Sequence, residues 1–124
     1  MSGTWKLCLS SNHLGNVAER MTWKRYGSVG GRGEGNAYQH IVWAMVMTVE
    51  FGSRTARGFL NRHEDVQQRR GERQMDLHNN DLGLWFGSIL RSRERLRNGD
   101  RGRTQRRIHE VAMYIISSGL HRTL

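Results

Sequence analysis

The stretch Asn36-Ala-Tyr-Gln-His-Ile-Val-Trp-Ala-Met-Val-Met-Thr-Val-Glu-Phe51 decides the fold of this chain. It contains a single charged residue, Glu50, and its apolar side chains surround the helix axis instead of following one stripe. A helix that is apolar nearly all round is typical of a buried position at the centre of a domain. The sequence therefore predicts a central buried helix, against which the other elements must pack.

Amphipathic patterns on both sides of this stretch predict four further helices. They cover about residues 16–26, 53–63, 76–90 and 104–118, with Ser53 as an N-cap and a short extended piece at residues 5–9. Because the chain contains no proline, glycines mark the connections at residues 27–35, at Gly71 and at residues 99–102. The prediction is an all-α fold, bundle-like or orthogonal, of about five helices around the buried central one.

Length and composition indicate one folded domain over residues 1–124. A chain of this size forms a single core, and its four Trp and six Met are more than a solvated polar tail carries. We place the motif core at about residues 15–90 and an arginine-rich segment at residues 91–124. The longest apolar run, residues 41–47, is too short for a membrane span, and the first residues lack the pattern of a signal peptide.

The charge of the chain is strongly basic and unevenly distributed. The net charge is +9, and residues 91–124 contribute +6, whereas residues 36–52 and 76–90 sum to −1 and −2. Most basic residues are Arg, whose planar guanidinium binds two phosphate or carboxylate oxygens at once. We therefore expect a polyanionic partner, nucleic acid first, with a solvated arginine surface as the alternative. The predicted substrate-binding residues are Trp43, Arg91, Arg93, Arg95, Arg97, Arg103, Arg106 and Arg107.

His40 is the first candidate for a chemical role. It lies one helical turn after Asn36, and the residues that follow it are almost all apolar. Such surroundings disfavour the imidazolium, so we expect a neutral ring with a free lone pair, suited to a metal ligand or a general base. The alternative is a core histidine that hydrogen-bonds to a backbone carbonyl. His63 continues the apolar stripe of the next predicted helix toward the same core, and Glu64 follows it directly.

A third polar block begins at Asp76. Asn80, Gly83 and Gly87 share its helix face, and Asn79 lies at the edge of that face. Since each glycine costs a helix about 1 kcal/mol, the two glycines indicate close approach of another helix or of a ligand. The block is typical of the wall of a site, and the alternative interpretation is an N-capping Asp76 with asparagines that satisfy loop backbone.

Several blocks of the sequence form a pattern in a fixed order. They are Gly35-Asn-Ala-Tyr-Gln-His-Ile-Val-Trp-Ala-Met-Val-Met47, then Phe51-Gly, Ala56, His63-Glu and Met75-Asp-Leu-His-Asn-Asn-Asp-Leu-Gly83. This pattern resembles an uncharacterised family of bacterial helical domains. Members of that family read approximately DAFRHxxWNAxM, then G, A, HE and MDLxNNxxGR. The resemblance covers about residues 15–90. The sequence departs from the pattern at Asn36, Gln39 and Leu84, where the family has Asp, Arg and Arg.

The resemblance implies a module of secreted bacterial proteins, some of them organised like polymorphic toxins. It also implies a catalytic set at the matching positions, which are His40, His63, Glu64, Asp76, Asn79 and Asn80. Their order is similar to that of the metal-dependent HD phosphohydrolases, an all-α group, with Glu in place of one Asp. We accordingly expect a bacterial protein that is exported or delivered without a signal peptide of its own, or is cytoplasmic, with an acidic immunity protein as a further candidate partner.

Two mechanisms fit this set. Its histidines and carboxylates could hold a divalent ion such as Zn²⁺ or Mn²⁺ that activates a water, the metal ligands then being His40, His63, Glu64 and Asp76. Without a metal, one histidine would act as general base, a carboxylate would orient it, and the asparagine amides would stabilise negative charge. The predicted function is a toxin- or effector-type hydrolase of a phosphodiester, that is, a nuclease. The alternatives are a cell-envelope hydrolase acting on lipid or peptidoglycan and a non-enzymatic nucleic-acid-binding module.

Overall fold

A computed structural model describes residues 3–28, 33–67, 70–94 and 101–123, with side chains from residue 13 onward except at 63–71, 94 and 101. The described residues form helices and no strand, which confirms the predicted all-α fold. The five helices are α1 (Gly3–Tyr26), α2 (Glu34–Phe51), α3 (Ser53–Gln67), α4 (Arg70–Glu94) and α5 (Arg101–Ser117).

Helix α2 is the centre of the fold, as its apolar sequence predicts. It packs against each of the other four helices, and its longest contact is with α4. Its side chains at Tyr38, Ile41, Val42 and Met45 are fully buried and belong to the main hydrophobic cluster, which α1 and α5 complete. None of the helices in the described part of the chain is long and apolar enough to cross a membrane.

Two glycines of α4 allow that helix to lie directly against α2. A Cβ atom added at Gly83 would lie 2.5 Å from the Ala44 Cβ and 2.5 Å from the backbone oxygen of Ile41. A Cβ at Gly87 would lie 2.8 Å from the Thr48 Cβ. All three distances are shorter than real Cβ contacts, so only glycine fits without a shift of the helices. The prediction that these glycines permit close approach of another helix is confirmed.

Helices α1 and α4 are longer than the sequence patterns predict. The extended piece expected at residues 5–9 is wrong, because α1 begins at Gly3 and continues through them. Helix α4 begins at Arg70, so Asp76 lies inside a helix and is not an N-cap. Gly71 and Gly102 were expected in connections but lie within α4 and α5. A single glycine costs a helix only about 1 kcal/mol, which packing elsewhere along the helix can offset.

A single residue, Gly52, joins α2 to α3. Its N–H donates to the Thr48 carbonyl at 2.8 Å, and its carbonyl accepts from Ala56 N–H at 3.1 Å. The predicted N-cap Ser53 is therefore wrong, since the residue before it accepts the first hydrogen bond of α3. The backbone at Gly52 has φ 89° and ψ 157°, a region that is essentially restricted to glycine.

Candidate active site between α2 and α4

Four of the polar residues singled out above meet where α2 crosses α4. The Nε2 atom of His40 lies 3.3 Å from Oδ1 of Asp76, and Nδ1 of His40 lies 3.1 Å from Oδ1 of Asn80. Asn36 donates from Nδ2 to the same Asp76 oxygen at 3.3 Å. We call these four residues, Asn36, His40, Asp76 and Asn80, the His40 cluster.

The cluster follows from helical spacing and from the glycine contact described above. Asn36 and His40 are one turn apart on α2, and Asp76 and Asn80 are one turn apart on α4. Two pairs of polar side chains thus lie on facing stripes of the two helices. Gly83, one turn further along α4, brings the two backbones close enough for these short side chains to touch.

The carboxylate of Asp76 is buried, with only 3% of its side chain exposed, and His40 is 12% exposed. The polar contacts of Asp76 include the imidazole of His40 and the side-chain amide of Asn36. Taking a carboxylate out of water is costly unless it is paired or hydrogen-bonded. The contacts with His40 and Asn36 offset this cost, and they make the cluster a buried polar network within an otherwise apolar interface.

The hydrogen-bond partners define what the imidazole can do. The amide oxygen of Asn80 can only accept, so it fixes a proton on Nδ1 of His40. Nε2 is then the ring nitrogen that can gain or lose a proton, and it faces the carboxylate of Asp76. The 3.3 Å separation is longer than the ~2.8 Å of a strong charge-assisted hydrogen bond. The sequence predicted apolar surroundings for the His40 ring. In the structure each ring nitrogen instead has an oxygen atom nearby.

Asn79, which the resemblance places in the catalytic set, has a different contact. Its Nδ2 donates to the carbonyl of Arg122 at 2.9 Å, and its Oδ1 accepts from the Arg122 N–H at 2.9 Å. His78 adds a contact of 2.8 Å from Nε2 to the carbonyl of Leu120. Both residues thus hold the segment after α5 against α4. The Asn79 amide uses its oxygen and its nitrogen in hydrogen bonds to the Arg122 backbone.

Two other predicted residues, His63 and Glu64, lie in the last turns of α3, but their side chains are outside the described part of the structure. Among the side chains that are described, no three His, Cys, Asp or Glu residues come together as a metal site. The predicted Zn²⁺ or Mn²⁺ ligand set, which needs both residues, stays a prediction.

Two of the predicted substrate-binding residues, Trp43 and Arg91, make contacts within the described part of the protein. Trp43 is partly buried and packs against both hydrophobic clusters. Arg91 donates from Nη1 to the carbonyls of Val49, at 2.8 Å, and Thr48, at 3.4 Å, and so satisfies the C-terminal end of α2. The exposed residues are Arg93, Arg103, Arg106 and Arg107, whereas Arg95 and Arg97 lie outside the described residues.

Sequence reasoning missed a second polar contact, on the other side of α2. The hydroxyl of Tyr38 lies 2.8 Å from Nδ1 of His109 on α5, 71 residues away along the chain. Burial raises the pKa of the Tyr38 hydroxyl to about 12, so it stays protonated at neutral pH. A tyrosine within an otherwise apolar helix was the available signal, because a buried hydroxyl needs a hydrogen-bond partner.

Together, the five helices and the His40 cluster define an all-α domain with a histidine–aspartate pair between its two most extensively packed helices. The chain belongs to the family described as a domain of unknown function, DUF6973, whose sequence model matches residues 4–108. This agrees with the expected membership of an uncharacterised family. No curated protein and no solved structure matches the chain.

Proposed function

We propose that this domain is a hydrolase of phosphodiester bonds and that His40 is its general base. The observation that carries the proposal is the buried pair of His40 Nε2 and Asp76 Oδ1, 3.3 Å apart, with Asn80 on the other ring nitrogen. An imidazole oriented on one side and placed beside a carboxylate on the other is suited to moving a proton. The basic charge of the chain supports a phosphate-containing substrate.

In the proposed reaction, a water molecule at the exposed edge of His40 attacks the phosphorus atom. Its proton is taken up by the pair of Asp76 carboxylate and His40 Nε2, while Asn80 keeps the other proton on Nδ1. The imidazolium that forms is then stabilised by the carboxylate of Asp76. As the bond from phosphorus to the leaving oxygen breaks, Nε2 returns its proton to that oxygen. Asn36 is a positioning residue in this scheme, because it donates to Asp76 Oδ1.

A non-enzymatic nucleic-acid-binding module is the second candidate. One observation favours it: both ring nitrogens of His40 already have oxygen neighbours within the protein, as in a polar network that only ties two helices together. In that case the loss of His40 lowers stability and changes no reaction rate.

The test is to incubate the purified protein with RNA, DNA, lipid vesicles and peptidoglycan, each with and without a chelator. Under the proposal RNA or DNA is cleaved, and both His40→Gln and Asp76→Asn lower the rate by about 10²-fold or more. The matched control is His13→Gln, which removes an exposed imidazole from α1 and should leave the rate unchanged. Loss of activity on chelation would replace the metal-free scheme with the metal-assisted one.

Three outcomes contradict the proposal. Cleavage of lipid or peptidoglycan alone would assign the envelope substrate instead. Absence of any cleavage by the folded protein would leave the nucleic-acid-binding module. Full activity in His40→Gln, with its fold checked by circular dichroism, would remove this residue from the mechanism.

We further propose that the hydrolase acts as a toxin of bacterial origin, delivered to another cell and neutralised by an acidic immunity protein. The support is the resemblance described above together with the net charge of +9, which suits an acidic partner. Induced expression in a bacterial host should stop growth, and the His40→Gln variant should restore it. Growth arrest that persists in His40→Gln would separate toxicity from hydrolysis.

A further inference from the structure

A basic groove lies on the face of α2 opposite to the His40 cluster. Tyr38 precedes His40 by two residues and so points roughly 200° away around the helix axis. On that side α1 and α5 both pack on α2, and a groove of about 790 Å³ remains between them. Arg20, Lys24 and Arg25 of α1 line one wall, and Arg106 and His109 of α5 line the other.

The charges of this groove are unbalanced. Four cationic side chains line it, and Glu110 is the one carboxylate among its described lining residues. Glu110 lies 3.6 Å from Arg107, so its charge is already shared with a cation. Among the described residues, neither Lys24 nor Arg106 forms a salt bridge. Cations without carboxylate partners on two facing walls attract an anion into the space between them.

His109 adds a hydrogen-bond donor to the α5 wall of the groove. The buried hydroxyl of Tyr38 is protonated and needs an acceptor, which the Nδ1 atom of His109 provides at 2.8 Å. The ring proton of His109 is then on Nε2, the nitrogen that does not face Tyr38. Nε2–H is a hydrogen-bond donor that can bind a phosphate oxygen.

We infer that this groove binds the backbone phosphates of a single-stranded nucleic acid. Arg20 and Lys24 are one helical turn apart, about 6 Å along the axis, which suits successive phosphates of one strand. Trp23 follows Arg20 by three residues on α1, and 61% of its surface is exposed, so it offers a stacking surface for a base beside these cations. The site is separate from the His40 cluster and does not depend on its activity.

The experiment measures binding of a fluorescently labelled single-stranded oligonucleotide by anisotropy, in the His40→Gln background so that no cleavage interferes. The double variant Lys24→Glu/Arg106→Glu should weaken binding by at least about tenfold and reduce the salt slope of the affinity by about two. The matched control, Arg54→Glu/Arg62→Glu, makes the same change in net charge on α3, which does not line the groove.

Two more variants test the chemistry of the ligand. Trp23→Ala should weaken oligonucleotide binding about tenfold and leave binding of inorganic polyphosphate unchanged, because only a base can stack. His109→Ala should weaken the binding of both the oligonucleotide and polyphosphate.

Equal losses in the groove and control variants would overturn the inference, since overall charge would then explain binding. Failure to bind any oligonucleotide would also overturn it. Tighter binding of polyphosphate together with no effect of Trp23→Ala would assign the groove to a different anion. Absence of cleavage by the wild-type protein refutes the hydrolase and leaves this binding result intact.

Discussion

Replacement of Gly83 by Ala is the sharpest test of the contact between α2 and α4. The added Cβ would lie 2.5 Å from the Ala44 Cβ and 2.5 Å from the Ile41 backbone oxygen. Neither atom belongs to the far end of a flexible side chain, so neither can rotate away. The two helices must therefore separate by roughly 1 Å to reach an ordinary van der Waals distance.

The magnitude follows from two opposing effects. Alanine gains about 1 kcal/mol over glycine in helix propensity. Overpacking against backbone costs about 3 kcal/mol, the upper part of the usual range. The net loss in the free energy of unfolding is therefore about 2 kcal/mol, which lowers the Tm of a chain of this length by about 8 °C. The same separation would move His40 Nε2 from 3.3 Å to beyond hydrogen-bond distance of Asp76.

Thermal unfolding followed by circular dichroism measures this change, and Gly58→Ala is the matched control. A Cβ at Gly58, on the exposed side of α3, meets nothing within 4 Å. That variant should gain about 1 kcal/mol and raise the Tm by about 4 °C. If Gly83→Ala is as stable as wild type while Gly58→Ala is stabilised, the close packing of α2 on α4 is wrong.

Three further predictions concern single contacts. Arg91→Ala should lower the free energy of unfolding, measured in urea, by about 1–2 kcal/mol, because two carbonyls at the end of α2 lose a charged donor. The control Arg93→Ala, at an exposed position nearby, should change the free energy of unfolding by less than about 0.5 kcal/mol. Asn79→Ala should speed hydrogen exchange of the Arg122 amide, measured by NMR, and unchanged exchange would contradict the observed bond. Stability should fall as the pH rises from about 10 to about 12, because folding raises the pKa of Tyr38 from 10.0 to about 12 and the folded state keeps its proton longer. The loss approaches about 3 kcal/mol, and Tyr38→Phe should flatten this part of the pH profile; an equally steep profile in that variant would contradict the assignment.

The sequence predicted the fold well where one residue pattern dominates. Residues 36–51 are apolar on all sides, and only a central position can bury such a helix. The starts of α1 and α4 could not be predicted, because Gly3, Gly71 and Asp76 each favour a break or a cap locally. At Asp76 the contacts with His40 and Asn36, which are distant in the chain, override this local preference.

The candidate site was predictable to the level of helix faces. Spacing places His40 and Asp76 on their faces, and the glycines of α4 indicate that another helix approaches them. The partner atoms could not be predicted, because they depend on the rotation of α2 against α4. For the same reason the pairing of Tyr38 with His109, and the groove above it, could be found only in three dimensions.

Gly52 gives experimental control over a whole helix through one backbone position. Because its N–H ends α2 and its carbonyl begins α3, the direction in which α3 leaves is set by one pair of dihedral angles. Any side chain at this position would force those angles out of their present region and redirect α3 as a unit. Gly52→Ala would thus displace the helix that contains His63 and Glu64 while altering neither residue. Activity that survives this displacement would mean that chemistry resides in α2 and α4 alone.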